Sequence, residues 1–281
     1  MMMGFASLPM YDLPEVRAAT DGLWARLAHH LARAGVGGVP EHLDRETPCD
    51  RIGRKPTLLF GQTCGYCVTH AERRHLRIVA TPRYAVVGCE GATYRSAIVV
   101  QADSRAESLA DLRGAACAVN GFDSHSGANV LAFEASKLTE ADQGSEPFFG
   151  RVVVTGSHVA SLAAVAAGEC AVASIDAVTH GLLAAWRPHA LMGTRVLAWT
   201  ERVPAPPFVT HRGASAALCA AMRAALDALL CDPAARAARS ALYLAGVERI
   251  PASDYGRIKV MEKRWRSRTP AIWALPVAVG R

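Results

Sequence analysis

Two segments of this chain carry residues whose types and spacing suit the capture of an anion. One is Asn120-Gly121-Phe122-Asp123-Ser124-His125-Ser126-Gly127 and the other is Thr155-Gly156-Ser157-His158-Val159-Ala160-Ser161, and each lies between an apolar run and a helical pattern. A helix that opens on hydroxyl residues and glycine presents unpaired backbone N–H groups, side-chain donors and the positive end of its dipole to whatever lies before it. In the first turn Ser124 and Ser126 can donate hydroxyls, and Gly127 lets backbone approach a ligand closely. In the second, His158 and Ser161 stand one helical turn apart, so both can face the helix start, and protonated His158 would add a charge that varies across physiological pH. An ordinary serine N-cap explains each turn equally well when taken alone.

Asp176 follows the apolar run Cys170-Ala171-Val172-Ala173-Ser174-Ile175 and is expected at the same strand edge as both turns, where open α/β sheets bind ligands. It is expected either to cap a helix or to accept a proton or amine from the ligand, because a bare carboxylate beside a dianion is repulsive. Tyr11, Tyr66 and Tyr94 fall at strand ends or crossings, where a phenol can reach a cleft or pack a hinge. Cys64-Gly65-Tyr66-Cys67 has the spacing of a redox or metal half-site. A zinc site needs two more ligands at motif spacing, and neither a second C-x-x-C nor H-x-x-x-H occurs, which leaves incidental thiols, redox activity and metal binding open in that order. Walker A, dinucleotide-fingerprint, H-E-x-x-H and G-x-S-x-G sequences are missing, so neither a cofactor nor the common hydrolase, kinase or dehydrogenase chemistry is indicated.

The elements that must position these residues alternate between strand and helix, which implies an α/β architecture with largely parallel sheets. Leu23, Leu27 and Leu31 repeat at helical spacing, and a strand over 57–60 opens into the Cys64 to Cys67 segment and a further helix. Three strand-and-helix units follow one another between 115 and 186, a strand at 194–199 ends the block, and the Pro-rich stretch 203–208 turns the chain into a region that reads as almost wholly helical. Two α/β lobes result, one from 1–96 plus 200–281 and an inserted one from 97–199, joined by two crossings with a ligand cleft between them.

At 281 residues with 51% hydrophobic content, the chain can bury a sizeable core. The 31 Lys and Arg exceed the 25 Asp and Glu, which favours small anions, but the basic residues are scattered and the run Lys263-Arg264-Trp265-Arg266-Ser267-Arg268 reads as a solvated helix end and not as a nucleic-acid surface. No apolar run is long enough to span a bilayer, and the first residues lack a basic and then apolar leader. With eight cysteines in apolar surroundings, this points to a reducing, cytoplasmic setting as the chain stands, or to the periplasm for a chain already processed.

Tyr94-Arg95-Ser96 with Ile98-Val99-Val100, then Ser108-Leu109-Ala110-Asp111-Leu112-Arg113-Gly114, Ser124-His125-Ser126-Gly127 and Thr155-Gly156-Ser157-His158-Val159-Ala160-Ser161 resemble the phosphate, phosphite and phosphonate binding proteins of ABC importers over about 57–208. The resemblance implies the type II periplasmic binding protein fold, two α/β lobes closing on a small phosphorus oxyanion, with an ABC permease as partner. It implies that Ser124, His125, Ser126 and the Gly127 backbone hold the oxyanion, that His158 hydrogen-bonds it, that Asp176 faces it, and that Tyr94, Tyr11 and Tyr66 wall the cleft. Two residues depart from the family pattern: His125 stands where a small hydroxyl residue is usual, implying a narrower and more pH-sensitive pocket, and Cys67 stands where proline is expected. Cytosolic enzymes share the fold, so a pyrimidine- or menaquinone-pathway type of enzyme acting on a phosphorylated or carboxylated metabolite, with His125 or His158 as acid or base, is the alternative.

Overall fold

The structure, a computed structural model, describes residues 3–139, 146–268 and 271–274. In chain order the elements are β1 (Phe5–Ser7), α1 (Arg17–Arg33), β2 (Leu58–Gln62), β3 (Leu76–Tyr84), β4 (Cys89–Glu90), β5 (Thr93–Tyr94), β6 (Ser96–Gln101) and β7 (Ala116–Val119). They continue as α2 (Val130–Leu138), β8 (Arg151–Val154), α3 (His158–Ala166), β9 (Val172–Asp176), α4 (Ala177–Trp186), β10 (Thr194–Trp199), β11 (Val203–Pro204) and β12 (Phe208–His211). The remainder is α5 (Ala216–Cys231), α6 (Arg236–Ala241), β13 (Leu244–Glu248) and α7 (Gly256–Arg266). Two compact units result, Met1–Thr93 with Pro204–Tyr255, and Tyr94–Val203 with Gly256–Arg281. Sequence reading groups everything after 200 with the first lobe, whereas the segment from Gly256 belongs to the second unit, because α7 buries Ile258 and Met261 and its Trp265 indole donates to Asn129.

The first unit has a five-stranded sheet in the order β1-β2-β12-β3-β13. On α1 the predicted stripe Leu23, Leu27 and Leu31 is buried with Trp24, whose indole N–H donates to the Pro40 carbonyl at 3.2 Å. The helix stops where Gly35 takes φ +76°, a conformation that glycine adopts without strain. Beyond Pro207 the chain is not wholly helical: β12 and β13 both pair antiparallel with β3 and complete this sheet. The helix expected after Cys67 is replaced by turns and a single 3₁₀ turn at Ala71–Arg74, because the Thr69 hydroxyl donates to the Gly65 and Tyr66 carbonyls and competes with a helical ladder.

The second unit has a five-stranded sheet in the order β10-β6-β9-β7-β8. Only β7 with β8 and β7 with β9 run parallel, while β6 lies antiparallel to both β9 and β10, so the sheet is mixed where a largely parallel one is expected. β9 and nearly all of β7 are buried along their length, as strands covered on both faces must be. Val119, Leu131, Val152, Val172, Phe148 and Phe149 form the heart of the core. A further tie comes from Ser108, which with Asp111 makes a capping box on the 3₁₀ turn Leu109–Leu112 ahead of β7.

Close backbone packing at the start of β8 depends on one glycine. A methyl group on Gly150 would stand 2.4 Å from the Gly114 carbonyl oxygen, a main-chain atom held by the bond from Gly114 N–H to the Phe148 carbonyl. Gly150→Ala is therefore expected to cost about 1–3 kcal/mol of stability. Gly256→Ala, where the added carbon meets nothing within 4 Å, should leave the melting temperature unchanged or higher. Equal midpoints for the two variants in thermal denaturation would contradict this packing.

Candidate functional site

The parallel register fixes where the candidate residues emerge. Val119 is paired with Val154, and Cys117 and Ala118 with Val172 and Ala173, so β7, β8 and β9 deliver their C-terminal ends to one edge of the sheet. The turn of Ser124 to Gly127 follows β7, the turn of Thr155 to Ser161 follows β8, and Asp176 ends β9. Eight of the ten sequence-predicted residues thus share the second unit, whereas Tyr11 and Tyr66 belong to the first.

The first turn is not a simple α-helical start. His125–Asn129 form a π-helical turn, with the Asn129 N–H donating to the Ser124 carbonyl at 3.1 Å and the Val130 N–H to that of His125, before α2 begins. One extra residue per turn at a helix start is a distortion that recurs at functional sites. Ser124 caps it by accepting from the Gly127 N–H at 3.2 Å. A side chain at 127 would displace the Asn120 amide, whose Oδ1 occupies the space its Cβ would take. Asn120 Oδ1 is itself buried with no hydrogen-bond partner, which leaves an acceptor beside the Gly127 backbone.

His125 is 1% exposed and its surroundings fix its tautomer. The Asn129 amide accepts from the Trp265 indole N–H at 2.7 Å on Oδ1 and donates from Nδ2 to the Ile258 carbonyl at 3.1 Å, so Nδ2 is also the donor at the 3.0 Å contact with His125 Nδ1. Nδ1 accepts and the proton resides on Nε2. The Tyr94 ring, 1% exposed, sits edge-on to His125 with centroids 6.3 Å apart. Asn129 escaped the sequence reading, and its signal was the four-residue spacing from His125 along a helical face.

The two turns meet through side chains. Ser126 Oγ lies 2.9 Å from His158 Nε2, and the Ser126 carbonyl accepts from the Ser174 hydroxyl at 2.6 Å, tying the first turn to β9. His158 Nδ1 is buried and meets no partner at hydrogen-bond geometry. Burial holds the His158 pKa down at about 4, only partly offset by the nearby Ser174 carbonyl, so the ring is neutral across physiological pH and not the variable charge that sequence suggests. Ser157 caps α3 by accepting from the Ala160 N–H at 3.1 Å. Ser161 Oγ, buried, lies 2.7 Å from Thr155 Oγ1, which also donates toward the Val119 carbonyl, so this hydroxyl pair buttresses the second turn against β7.

Asp176 is 1% exposed and caps α4, with Oδ1 accepting from Val178 N–H at 2.8 Å and Thr179 N–H at 3.1 Å. In the first unit, Tyr11 packs edge-on to Tyr84 at 5.2 Å, and Tyr66 stacks flat on His70 at 3.6 Å. What the second unit assembles is a set of helix starts, hydroxyls and a neutral imidazole around one strand edge, an arrangement that donates to oxygens and desolvates them.

Residues 57–255 match the family described as the phosphonate ABC transporter periplasmic substrate-binding protein. No protein of curated function matches the chain by sequence. Among solved structures, PhnD1 from Prochlorococcus marinus (MIT 9301) in complex with methylphosphonate aligns with a TM-score of 0.69 at 10% identity, over 94% of this chain and 98% of that one. XAC2383 from Xanthomonas citri, bound to chloride ion, aligns with a TM-score of 0.69 at 16% identity over 93% and 96%. The binding protein component of an ABC phosphonate transporter from Pseudomonas aeruginosa (PA3383) aligns with a TM-score of 0.68 at 13% identity over 93% and 85%. At these identities the likenesses establish the fold, that of the type II periplasmic binding proteins with two α/β lobes. The family match spans well over half of the sequence, and the chain belongs to the periplasmic substrate-binding proteins of phosphonate ABC transporters.

Proposed function

We propose that this protein captures a small phosphonate at the C-terminal edge of β7, β8 and β9 and passes it unchanged to an ABC permease. The observation that carries the reading is the 2.9 Å contact between Ser126 and His158, which joins two helix starts into one donor surface. A bound phosphonate would replace the mutual Ser126–His158 hydrogen bond, so that its oxygens take hydrogen bonds from the Ser124 and Ser126 hydroxyls, from the backbone around Gly127 and from His158 Nε2–H. Ser161 braces the second turn, Asp176 faces the ligand as a cap whose carboxylate selects for a protonated or amine-bearing group, and Tyr94 seats His125. Tyr11 and Tyr66 remain in the proposed set on the family resemblance. Methylphosphonate, the ligand of the Prochlorococcus relative, is the first probe.

A binding role without turnover follows the family, and neutral His158 acts as a hydrogen-bonding group and not as a proton carrier. The family's members work in the periplasm, where the permease would receive the ligand. Among the described residues no helix is long and apolar enough to cross a membrane.

Calorimetry with methylphosphonate, phosphite and phosphate tests the proposal, and a ligand at 100 times its Kd should raise stability by about 2.7 kcal/mol. His158→Ala should weaken binding of the responding anion at least about tenfold, since tenfold is about 1.4 kcal/mol and a hydrogen bond to a charged group contributes about 1.5–3 kcal/mol. No saturable heat with any of the three would sink the reading, and new phosphorus resonances on prolonged incubation would replace it with the enzymatic one. The pKa of His158 adds a second expectation. Between the ordinary value of 6.5 and about 4 the unfolded chain binds a proton at this ring and the folded chain does not. Stability should thus fall by up to about 3 kcal/mol as pH drops through that window. In urea titrations at several pH values, His158→Gln should show a shallower acid loss, and an unchanged slope would refute the assignment.

A further inference from the structure

Basic residues that are scattered along the sequence are gathered by the fold at one place in the first unit. Arg73 belongs to the 3₁₀ turn Ala71–Arg74, Arg77 to β3 and Arg223 to α5, while Arg212 directly follows β12 and Arg249 directly follows β13. Because β12 and β13 both pair with β3, these five elements converge, and the five arginines line one groove of about 650 Å³. Among the described residues no Asp or Glu lines it. That volume falls within the roughly 300–1,000 Å³ of small-molecule sites.

The groove lies beside an unfinished strand edge. β12 accompanies Leu76 to Ala80 on one side of β3, whereas β13 reaches only Thr81 to Tyr84 on the other, so among the described residues no strand covers the second edge of Leu76 to Ala80. Open edges are commonly blunted by charged side chains. Arg223 does this by donating from Nε to the Val79 carbonyl at 2.9 Å, and Arg77 donates from Nη1 to the Ala214 carbonyl at 2.6 Å. Both acceptors are neutral, and only one nitrogen of each guanidinium is engaged. Arg249 is paired with Asp227, but Arg73, Arg77, Arg212 and Arg223 form no ion pair among the described residues. Edge protection accounts for Arg223 and gives no reason for four further arginines around the same groove, where their mutual repulsion opposes folding.

We propose that this groove binds a compact oligophosphate, the triphosphate chain of a nucleotide or of an inorganic polyphosphate. Each guanidinium can pair two parallel N–H groups with two oxygens of one phosphate, and several such forks around one groove match several phosphates in a row. Ile78 and Ile250 line the same groove and supply apolar surface on which a nucleoside can rest. An acidic peptide added as a strand is the competing occupant, and the Val79 carbonyl opposes it, because the main-chain acceptor such a strand would use is already filled by Arg223. This site does not depend on phosphonate capture in the second unit.

Calorimetric titration of the full-length protein with sodium tripolyphosphate and, separately, with ATP tests the assignment, both without divalent cations. Wild type should bind tripolyphosphate saturably, and more weakly as salt is raised. Arg73→Gln/Arg212→Gln, which changes two exposed side chains, should weaken binding at least about tenfold through the lost charge-assisted bonds. Arg33→Gln/Arg105→Gln, the same charge change at exposed positions outside the groove, should leave it nearly unchanged, as should His158→Ala in the second unit. Tighter binding of ATP than of tripolyphosphate assigns the nucleotide, and equal or weaker binding assigns the free chain. Absence of saturable heat with either probe at low salt, equal losses in the two double variants, loss in His158→Ala, or tighter binding of hexaglutamate than of tripolyphosphate would overturn the proposal. Matching melting midpoints for the two double variants separate lost binding from lost folding, and the wild-type titration stands without either.

Discussion

Parallel pairing of β7 with both β8 and β9 is the constraint on which the second unit's chemistry depends. A parallel register makes neighbouring strands end on the same side, so each following turn and helix start is delivered to one edge without any further device. The hydroxyls and imidazole then need only short bonds to settle their positions: Ser126 to His158 across the turns, Ser174 to the Ser126 backbone, and Thr155 to Ser161 within the second turn. Slipping one strand by a residue would invert which side chains face the core and dissolve all of these contacts together.

Burial makes this edge a place for hydrogen bonds more than for charge. His125 and Asp176 are both 1% exposed, and each is held by neighbours: the Asn129 amide donates to His125 Nδ1, and the Val178 and Thr179 N–H groups of α4 donate to Asp176 Oδ1. His158 stays neutral because the cost of charging it away from water is not repaid nearby. Neutral donors in a dry setting bind an anion through geometry, which discriminates among oxyanions by the number and direction of their oxygens.

The parts of this design legible in sequence are those fixed by local pattern. Apolar runs over 116–119 and 172–176 announce buried strands, and the small, hydroxyl-bearing turns after them announce helix starts, so the shared strand edge and the turns that leave it are legible in sequence. Strand direction could not, because the buried run Ala97 to Val100 looks alike whichever way it lies, and β6 proved antiparallel to β9. The π-helical turn was hidden for a similar reason, since His125 and Asn129 suit an α-helical face as well, and the choice is made by Trp265 and Ile258 far along the chain. Helical periodicity in 256–266 shows that α7 has a face to bury but not which unit receives it.

That last contact bears on how the protein is made. The amide that orients His125 is itself held by residues of α7, 129 positions later at Ile258 and 136 at Trp265, with the return of the chain to complete the first unit in between. Each unit is interrupted by the other in the order of synthesis, so the π-helical turn leaves the ribosome long before its clasp exists. During translation the nascent chain therefore holds this turn without the partners that fix it, and its final geometry arrives only once α7 has been made.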